Sequence, residues 1–203
     1  MKQPTLFLIV LLLTSTFTQA QEKPKNQKYP YHNITEMGFL AGPISNTRPA
    51  PFTILNINGI QIRPLFKVGA GIGIEFIEET YMPVLLDLRY DLRTTKFSPF
   101  IGFQAGYNIA LSKETTIFPN YLYDFELSSI IPNPNYPYGP YQPRGGILLN
   151  PSIGFINMFN ENLGFIFSVG YRFQCMKYTT NHSNNNLQIE YHRLAIKLGF
   201  IFN

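Results

Sequence analysis

The sequence predicts an all-β protein, an up-and-down barrel of eight antiparallel strands, on the strength of three observations. Apolar and polar residues alternate with a period of two over long segments. The 203-residue chain is rich in aromatic residues (15%) and poor in charged ones (14%), and its 15 glycines and 16 prolines suit strands and turns. Short and long connections also alternate along the chain, as they do in a barrel with two unlike ends.

The amino-terminal segment, residues 1–20, is predicted to be a signal peptide that is cleaved. Lys2 provides the positive start, Leu6 to Leu13 the apolar stretch, and Thr18-Gln19-Ala20 a small-residue cleavage site. The apolar run is shorter than the roughly 20 residues of a membrane-spanning helix, which favours cleavage over a permanent anchor.

The mature chain is predicted to have a polar leader, residues 21–33, followed by a barrel domain, residues 34–203. The alternation is weaker in the first, second and sixth of the eight strands than in the others. In chain order, the strands are expected at residues 35–42, 52–62, 66–76, 82–92, 101–109, 146–158, 163–174 and 193–202.

The two faces of these strands differ in size as well as polarity. One face carries Phe, Tyr, Leu and Ile, whereas the other carries Gly, Ser, Asn, Gln and charged residues. A small closed barrel has little interior room, so the bulky face is expected to point outward, against lipid. Strands of about 9–11 residues also match the length that crosses a bilayer at a tilt. A soluble lipocalin-like barrel, with its apolar face turned inward, is the alternative.

The connections sort by length in the way that a transmembrane barrel requires. Those at one end are all short: 63–64, 93–96 and 160–162. Those at the other end include every long one: 43–51, 78–80, 113–144 and 179–186. Outer-membrane barrels have short periplasmic turns and longer external loops, so the second end is predicted to face outward from the cell.

Three consecutive stretches carry a resemblance to a known family. They are RPLFKVGAGIGIEF (63–76), YMPVLLDLRYDLR (81–93) and SPFIGFQAGYNI (98–109). Together they resemble the small outer-membrane β-barrel proteins of Bacteroidetes-type bacteria, whose architecture is like that of the OmpA/OmpX group. The resemblance covers roughly residues 34–202. It implies a location in the bacterial outer membrane, contact with its lipid, insertion by the barrel assembly machinery, and no assigned reaction.

Charged residues on the inward positions form the first candidate site. We expect them to build a polar network in the lumen, which fills the barrel with ion pairs because an unpaired charge away from water is costly. A selective pore or proton path is the alternative. The residues are Lys67, Glu75, Asp87, Arg89, Asp91, Arg93, Arg172, Arg193 and Lys197.

The long external loop, residues 113–144, is the second candidate site. It holds six prolines, which stiffen the chain, and aromatic residues, which provide contact area at low entropic cost. A surface that binds an extracellular ligand is one interpretation, and a lid that packs over the barrel mouth is the other. The aromatic candidates are Tyr121, Tyr123, Phe125, Tyr136, Tyr138 and Tyr141.

Other function classes find little support in the residues. Three dispersed histidines and the single cysteine, Cys175, predict no metal site and no cofactor. The basic residues are scattered, so no nucleic-acid surface is expected. A lipid-modifying enzyme would have to use Glu190 and His192 with Ser183, a set without a spacing signature. The sequence therefore predicts a non-enzymatic barrel protein that acts through its external loops, with a narrow pore or a conduit for small hydrophobic ligands as the alternative.

Overall fold

The computed structural model describes residues 29–42, 50–77, 79–111, 141–180 and 186–203. The predicted signal peptide and most of the predicted leader lie outside the described residues. Within them, no helix has the length and apolar character needed to cross a membrane.

Eight antiparallel strands form one closed barrel in the order β1 to β8, and β1 pairs with β8 to complete it. Each of the other strands pairs with its neighbours in sequence. The strands are β1 (Tyr31–Ala41), β2 (Phe52–Arg63), β3 (Phe66–Phe76), β4 (Thr80–Asp91), β5 (Phe97–Ala110), β6 (Tyr141–Met158), β7 (Leu163–Thr180) and β8 (Asn186–Phe202). The predicted fold class is confirmed, and β3 has the predicted bounds.

The barrel begins earlier in the chain than predicted. The sequence placed residues 31–33 in the leader, but β1 starts at Tyr31 and His32 is buried in the lumen. The polar leader prediction is therefore wrong for its last three residues. The reason is that Asn33 and Thr35 lie on the outward face of β1, where they obscure the alternation.

The last three strands extend well beyond their predicted ends at the long-connection side, which we call the external end. They contain 18, 18 and 17 residues. Above Gln174 the polarity of the two faces is inverted, since Met176 and Tyr178 are buried inside the barrel while Lys177 is exposed outside it. Period two continues there, but with apolar residues inward, so the strand ends could not be recognised by an apolar outward face.

Large apolar side chains cover the outside of the barrel, as the sequence predicts. Leu86 is 62% exposed and Ile153 66% exposed, and every one of the eight strands contributes exposed Phe, Tyr, Leu, Ile, Val or Met side chains to this surface. The soluble lipocalin-like alternative would bury these residues, so the exterior contradicts it. Surrounding lipid is the environment in which such a surface is stable.

The connections at the opposite end, here called the periplasmic end, are the short ones. They are residues 64–65, 92–96 and 159–162, and both described chain termini lie at this end.

Close strand packing also has local requirements. At a bulge in β6, Gly145 has the φ value of 84°, and a Cβ there would lie 1.9 Å from the Asn108 carbonyl oxygen. Only glycine fits this position without strain.

Replacing Leu86 at the middle of the apolar exterior tests the membrane assignment. We expect Leu86→Arg to destabilise the barrel by about 2–4 kcal/mol, because a charge at the bilayer midplane is poorly solvated. Gln188→Arg, at an exposed position on the external part of β8, is the matched control and should cost about 0–1 kcal/mol. Urea unfolding in lipid vesicles, followed by far-ultraviolet circular dichroism because the chain has no Trp, measures both. Equal effects at the two positions would contradict the assignment.

Candidate functional site

The lumen contains eight of the nine charged residues predicted to lie in it. Each is at most 7% exposed. They are Lys67, Glu75, Asp87, Arg89, Asp91, Arg172, Arg193 and Lys197. Arg93 is the exception: β4 ends at Asp91, and Arg93 is exposed in the connection that follows. The predicted position of Arg93 on an inward strand face is therefore wrong, because the alternation was extended two residues past the end of the strand.

Sequence reasoning missed two buried carboxylates, Glu36 and Glu79. Glu36 lies on the inward face of β1, between Ile34 and Gly38, where the polar outward face hid the pattern. Glu79 precedes β4 and was assigned to a connection. With these two, the buried charged residues among those described are five acidic and five basic. The formal charges in the lumen are therefore balanced.

Glu36 is the centre of the main cluster. Its Oε1 accepts a hydrogen bond of 2.7 Å from Nη2 of Arg89 on β4, and its Oε2 lies 3.7 Å from Nζ of Lys197 on β8. Arg89 also donates from Nε to Oδ2 of Asp87, at 2.8 Å. Because β4 lies across the barrel from β1 and β8, the Arg89–Glu36 ion pair spans the lumen.

Gln104 on β5 extends this cluster around the wall. Its amide donates to Oδ1 of Asp87 at 2.8 Å. Its Oε1 accepts hydrogen bonds from Nζ of Lys197 at 2.8 Å and from Nδ2 of Asn150 at 2.9 Å. A neutral amide thus connects a buried anion with a buried cation, which lowers the cost of burying both.

A second cluster surrounds Glu75, nearer the external end. Arg172 forms an ion pair with it from β7, and Gln174 donates to its Oε2 at 2.6 Å. Asn108 of β5 lies 3.5 Å from the same oxygen. The Glu75–Arg172 ion pair crosses the lumen at a second level, since Glu75 belongs to β3 and Arg172 to β7, on the opposite side of the barrel.

Apolar and aromatic side chains form a buried cluster inside the barrel at the external end. Tyr81 and Tyr178 are buried, and their hydroxyls lie 3.1 Å apart. Both donate to Oε2 of Glu79, at 2.8 Å and 3.2 Å. The same cluster includes Ile77, Met176 and Tyr191. This is the part of the barrel in which the faces are inverted, so a small apolar core replaces the polar lumen there.

The periplasmic end is open by comparison. A cavity of about 340 Å³ lies there, beneath the ion pair between Nζ of Lys67 and Oδ2 of Asp91, which is 2.6 Å long. Arg93 and Ser98 also line it. Apolar side chains such as Ile156 line it as well, and the cavity is a vestibule at one end of the barrel.

The residues of the enzyme alternative lie on the outside of the barrel. Nε2 of His192 is 3.9 Å from Oε2 of Glu190, and both side chains are about half exposed. Nδ1 of His192 is 2.5 Å from the Tyr171 hydroxyl. Ser183 lies outside the described residues. Among the described residues, no cluster of His, Cys, Asp and Glu side chains is arranged to hold a metal ion.

The second candidate site is not tested by the structure. Tyr121, Tyr123, Phe125, Tyr136 and Tyr138 lie outside the described residues. Tyr141 is the first residue of β6, so the predicted loop, which was placed at residues 113–144, ends before Tyr141. The surface-binding role of this loop stays a prediction.

Solved structures with the same architecture are outer-membrane proteins. Neisserial surface protein A is 10% identical, with 87% of this chain and 97% of that chain covered and a TM-score of 0.54. Outer membrane protein OprG from Pseudomonas aeruginosa is 12% identical, with 85% and 94% covered and a TM-score of 0.54. The chain has the fold of the small outer-membrane β-barrels. The N-terminal barrel domain of Pseudomonas aeruginosa OprF is also similar, at 12% identity, 85% and 97% coverage and a TM-score of 0.50.

Identities this low show the fold alone. No protein-family model matches the chain, and no curated protein matches it significantly. The closed barrel and its apolar exterior support a location in a bacterial outer membrane.

Removing the central carboxylate tests whether the lumen network stabilises the barrel. We expect Glu36→Gln to destabilise it by about 3 kcal/mol, since Arg89 and Lys197 lose a buried counter-charge. The exposed Glu190→Gln is the matched control and should change stability by about 0.5 kcal/mol or less. Glu36→Gln combined with Lys197→Gln should be less harmful than Glu36→Gln alone, because it restores the charge balance. Urea unfolding in vesicles measures all three, and an unchanged midpoint for Glu36→Gln would contradict the network's role.

Proposed function

We propose that this chain is a non-enzymatic outer-membrane barrel protein of the Bacteroidetes type, with a lumen closed by its own side chains. Its function then lies on the external surface, in adhesion or in the integrity of the envelope. The observation that carries the proposal is the Arg89–Glu36 ion pair, which spans the lumen with Lys197 beside it.

Three features of the interior support a closed lumen. The ion pairs at the levels of Glu36 and Glu75 cross the barrel, and the buried charges of the described residues balance. Aromatic side chains around Tyr81 and Tyr178 lie above them. An eight-stranded barrel has an interior just wide enough for side chains to fill, so groups that cross it leave little space for a solute.

A narrow pore is the second candidate, and the vestibule at the periplasmic end favours it. The Lys67–Asp91 ion pair lines this cavity, and charged side chains that line a pore can select ions. A solute would still have to displace the ion pairs around Glu36 and Glu75. We therefore rank the narrow pore, together with a conduit for small hydrophobic ligands, below the closed barrel.

Conductance in planar lipid bilayers distinguishes the closed barrel from the pore. We expect no discrete current steps from the wild-type protein, because cross-lumen ion pairs block the path at two levels. A 16-stranded porin inserted under the same conditions is the positive control. Reproducible steps from wild-type protein, altered in ion selectivity by Lys67→Gln at the vestibule, would instead establish the pore and overturn the closed lumen.

A non-enzymatic role is consistent with the surroundings of His192. Its ring lies between Tyr171 and Phe173, with centroid distances of 5.9 Å and 5.2 Å, on the outside of β8. A histidine packed against aromatic rings and bonded to a tyrosine hydroxyl suits the edge of the membrane, where such amphipathic groups collect. We assign it to anchoring the barrel in lipid.

The proposed binding surface is the external loop between β5 and β6. We expect replacement of residues 113–139 by a six-residue Gly-Ser linker to leave the barrel folded, because all of β6 is kept. Binding to immobilised extracellular-matrix proteins should be lost, since the aromatic residues of the loop supply the contact area. Heat-modifiable gel migration reports the fold, and binding by protein in lipid nanodiscs reports the function. Undiminished binding by the variant would exclude the loop as the adhesive surface.

A further inference from the structure

The lipid-facing wall of β1 and β2 carries a group of polar side chains, which we call the asparagine patch: Asn33, Thr35, Asn56 and Asn58. All four lie on the outward face, because the residues between them, such as Ile34 and Ile57, are buried in the barrel. Asn33 is directly opposite Asn58 in the sheet, and Thr35 is opposite Asn56. The patch is therefore a compact two-by-two block on two neighbouring strands.

The patch lies within the apolar belt. On the same face of β2, Ile54 is on the external side of the patch, and Ile60 and Ile62 are on its periplasmic side, all of them exposed. The eight residue steps from Ile54 to Ile62 extend about 26 Å along the strand, or roughly 20 Å across the bilayer at a 40° tilt. This approaches the height of about 25 Å of the lipid-facing band of such barrels. The asparagines are thus at membrane depth.

The strands on either side of the patch, β8 and β3, present apolar side chains next to it. Thr35 pairs with Phe200 and Asn33 with Phe202 on β8, and both phenylalanines are 47% exposed to the outside. On the other side, Asn58 and Asn56 are opposite Ala70 and Ile72 of β3. The patch is an isolated polar area on an otherwise apolar wall, with short side chains at its centre.

The patch members are hydrogen-bonded to one another. Asn33 donates from Nδ2 to Oδ1 of Asn58 at 2.9 Å, and Asn58 donates to Oδ1 of Asn56 at 2.8 Å. Asn56 donates to Oγ1 of Thr35 at 2.9 Å, and the Tyr31 hydroxyl caps the group at Oδ1 of Asn58, 2.5 Å away. These bonds lower the cost of inserting the patch into lipid. These bonds lie on the outer face and take no part in the polar network of the lumen. The interior of the barrel therefore does not explain why three asparagines lie on its outside.

We propose that the asparagine patch is the interface through which two copies of this chain associate in the membrane. Acyl chains offer neither donors nor acceptors, whereas a primary amide offers both. A two-fold axis brings the same patch of each copy together, so amide donors of one copy can face amide acceptors of the other. The short side chains of Thr35 and Ala70 permit close approach, which is how helices also pack in membranes. This inference goes beyond the proposed function and does not depend on a closed lumen.

Cysteine cross-linking of the full chain in its membrane tests the proposal. In a Cys175→Ser background, Asn58→Cys should give a disulfide-linked dimer on mild oxidation. Leu86→Cys, exposed at membrane depth on β4, is the matched control and should remain monomeric. Cross-linking at both positions alike would indicate random collision and overturn the proposal, and so would none at Asn58→Cys. An Asn58→Cys adduct with a different protein would overturn it in favour of another partner.

A second measurement does not depend on introduced cysteines. Energy transfer between amine-labelled wild-type barrels in dilute lipid vesicles should report dimers. The combined variant Asn33→Leu, Asn56→Leu and Asn58→Leu should weaken association about ten-fold or more, because several hydrogen bonds across the interface are lost. The variant barrel should still show heat-modifiable gel migration, since leucine side chains are stable in contact with lipid. Equal energy transfer from the variant and the wild type would overturn the proposal.

Discussion

Closure of the sheet is the constraint on which the rest of this structure depends. In lipid, a backbone amide or carbonyl without a partner is costly, so a membrane sheet must have no edges. The pairing of β1 with β8, from Asn33 opposite Phe202 to Ala41 opposite Leu194, removes the last edge. Closing eight strands leaves an interior of side-chain width. A charge that faces inward must then find its partner inside the barrel, either on a neighbouring strand or across the lumen.

The ion pairs follow from this geometry. Glu36 and Lys197 are far apart in sequence but adjacent in the barrel, because β1 and β8 meet at the closing seam. Arg89 reaches Glu36 from the far wall. The cluster forms only when all three strands are in place, so these ion pairs exist in the closed barrel and not in a partly assembled sheet. These ion pairs therefore depend on correct closure of the barrel.

Period-two alternation predicted the eight strands, the outward direction of the bulky face and eight of the nine lumen charges. It works because neighbouring residues face lipid and lumen, and these environments demand opposite side chains. It failed where that contrast is absent. Above Gln174 the polarity of the two faces is inverted, and Met176 and Tyr178 face inward as part of a small apolar core. Glu36 was missed for a related reason, because its strand carries polar residues on both faces.

The weaker alternation of β1 and β2 now has a specific physical cause. Ile34 and Ile57 face inward in these strands while Asn33 and Asn58 face outward, which is the reverse of the rule that the other strands follow. A sequence that departs from its own pattern at neighbouring positions of two paired strands marks one surface, since Asn33 and Asn58 are opposite each other. Local departures of this kind are expected where function competes with folding. The same residues that blur the prediction of β1 and β2 therefore identify the wall where contact with a second protein surface replaces contact with lipid.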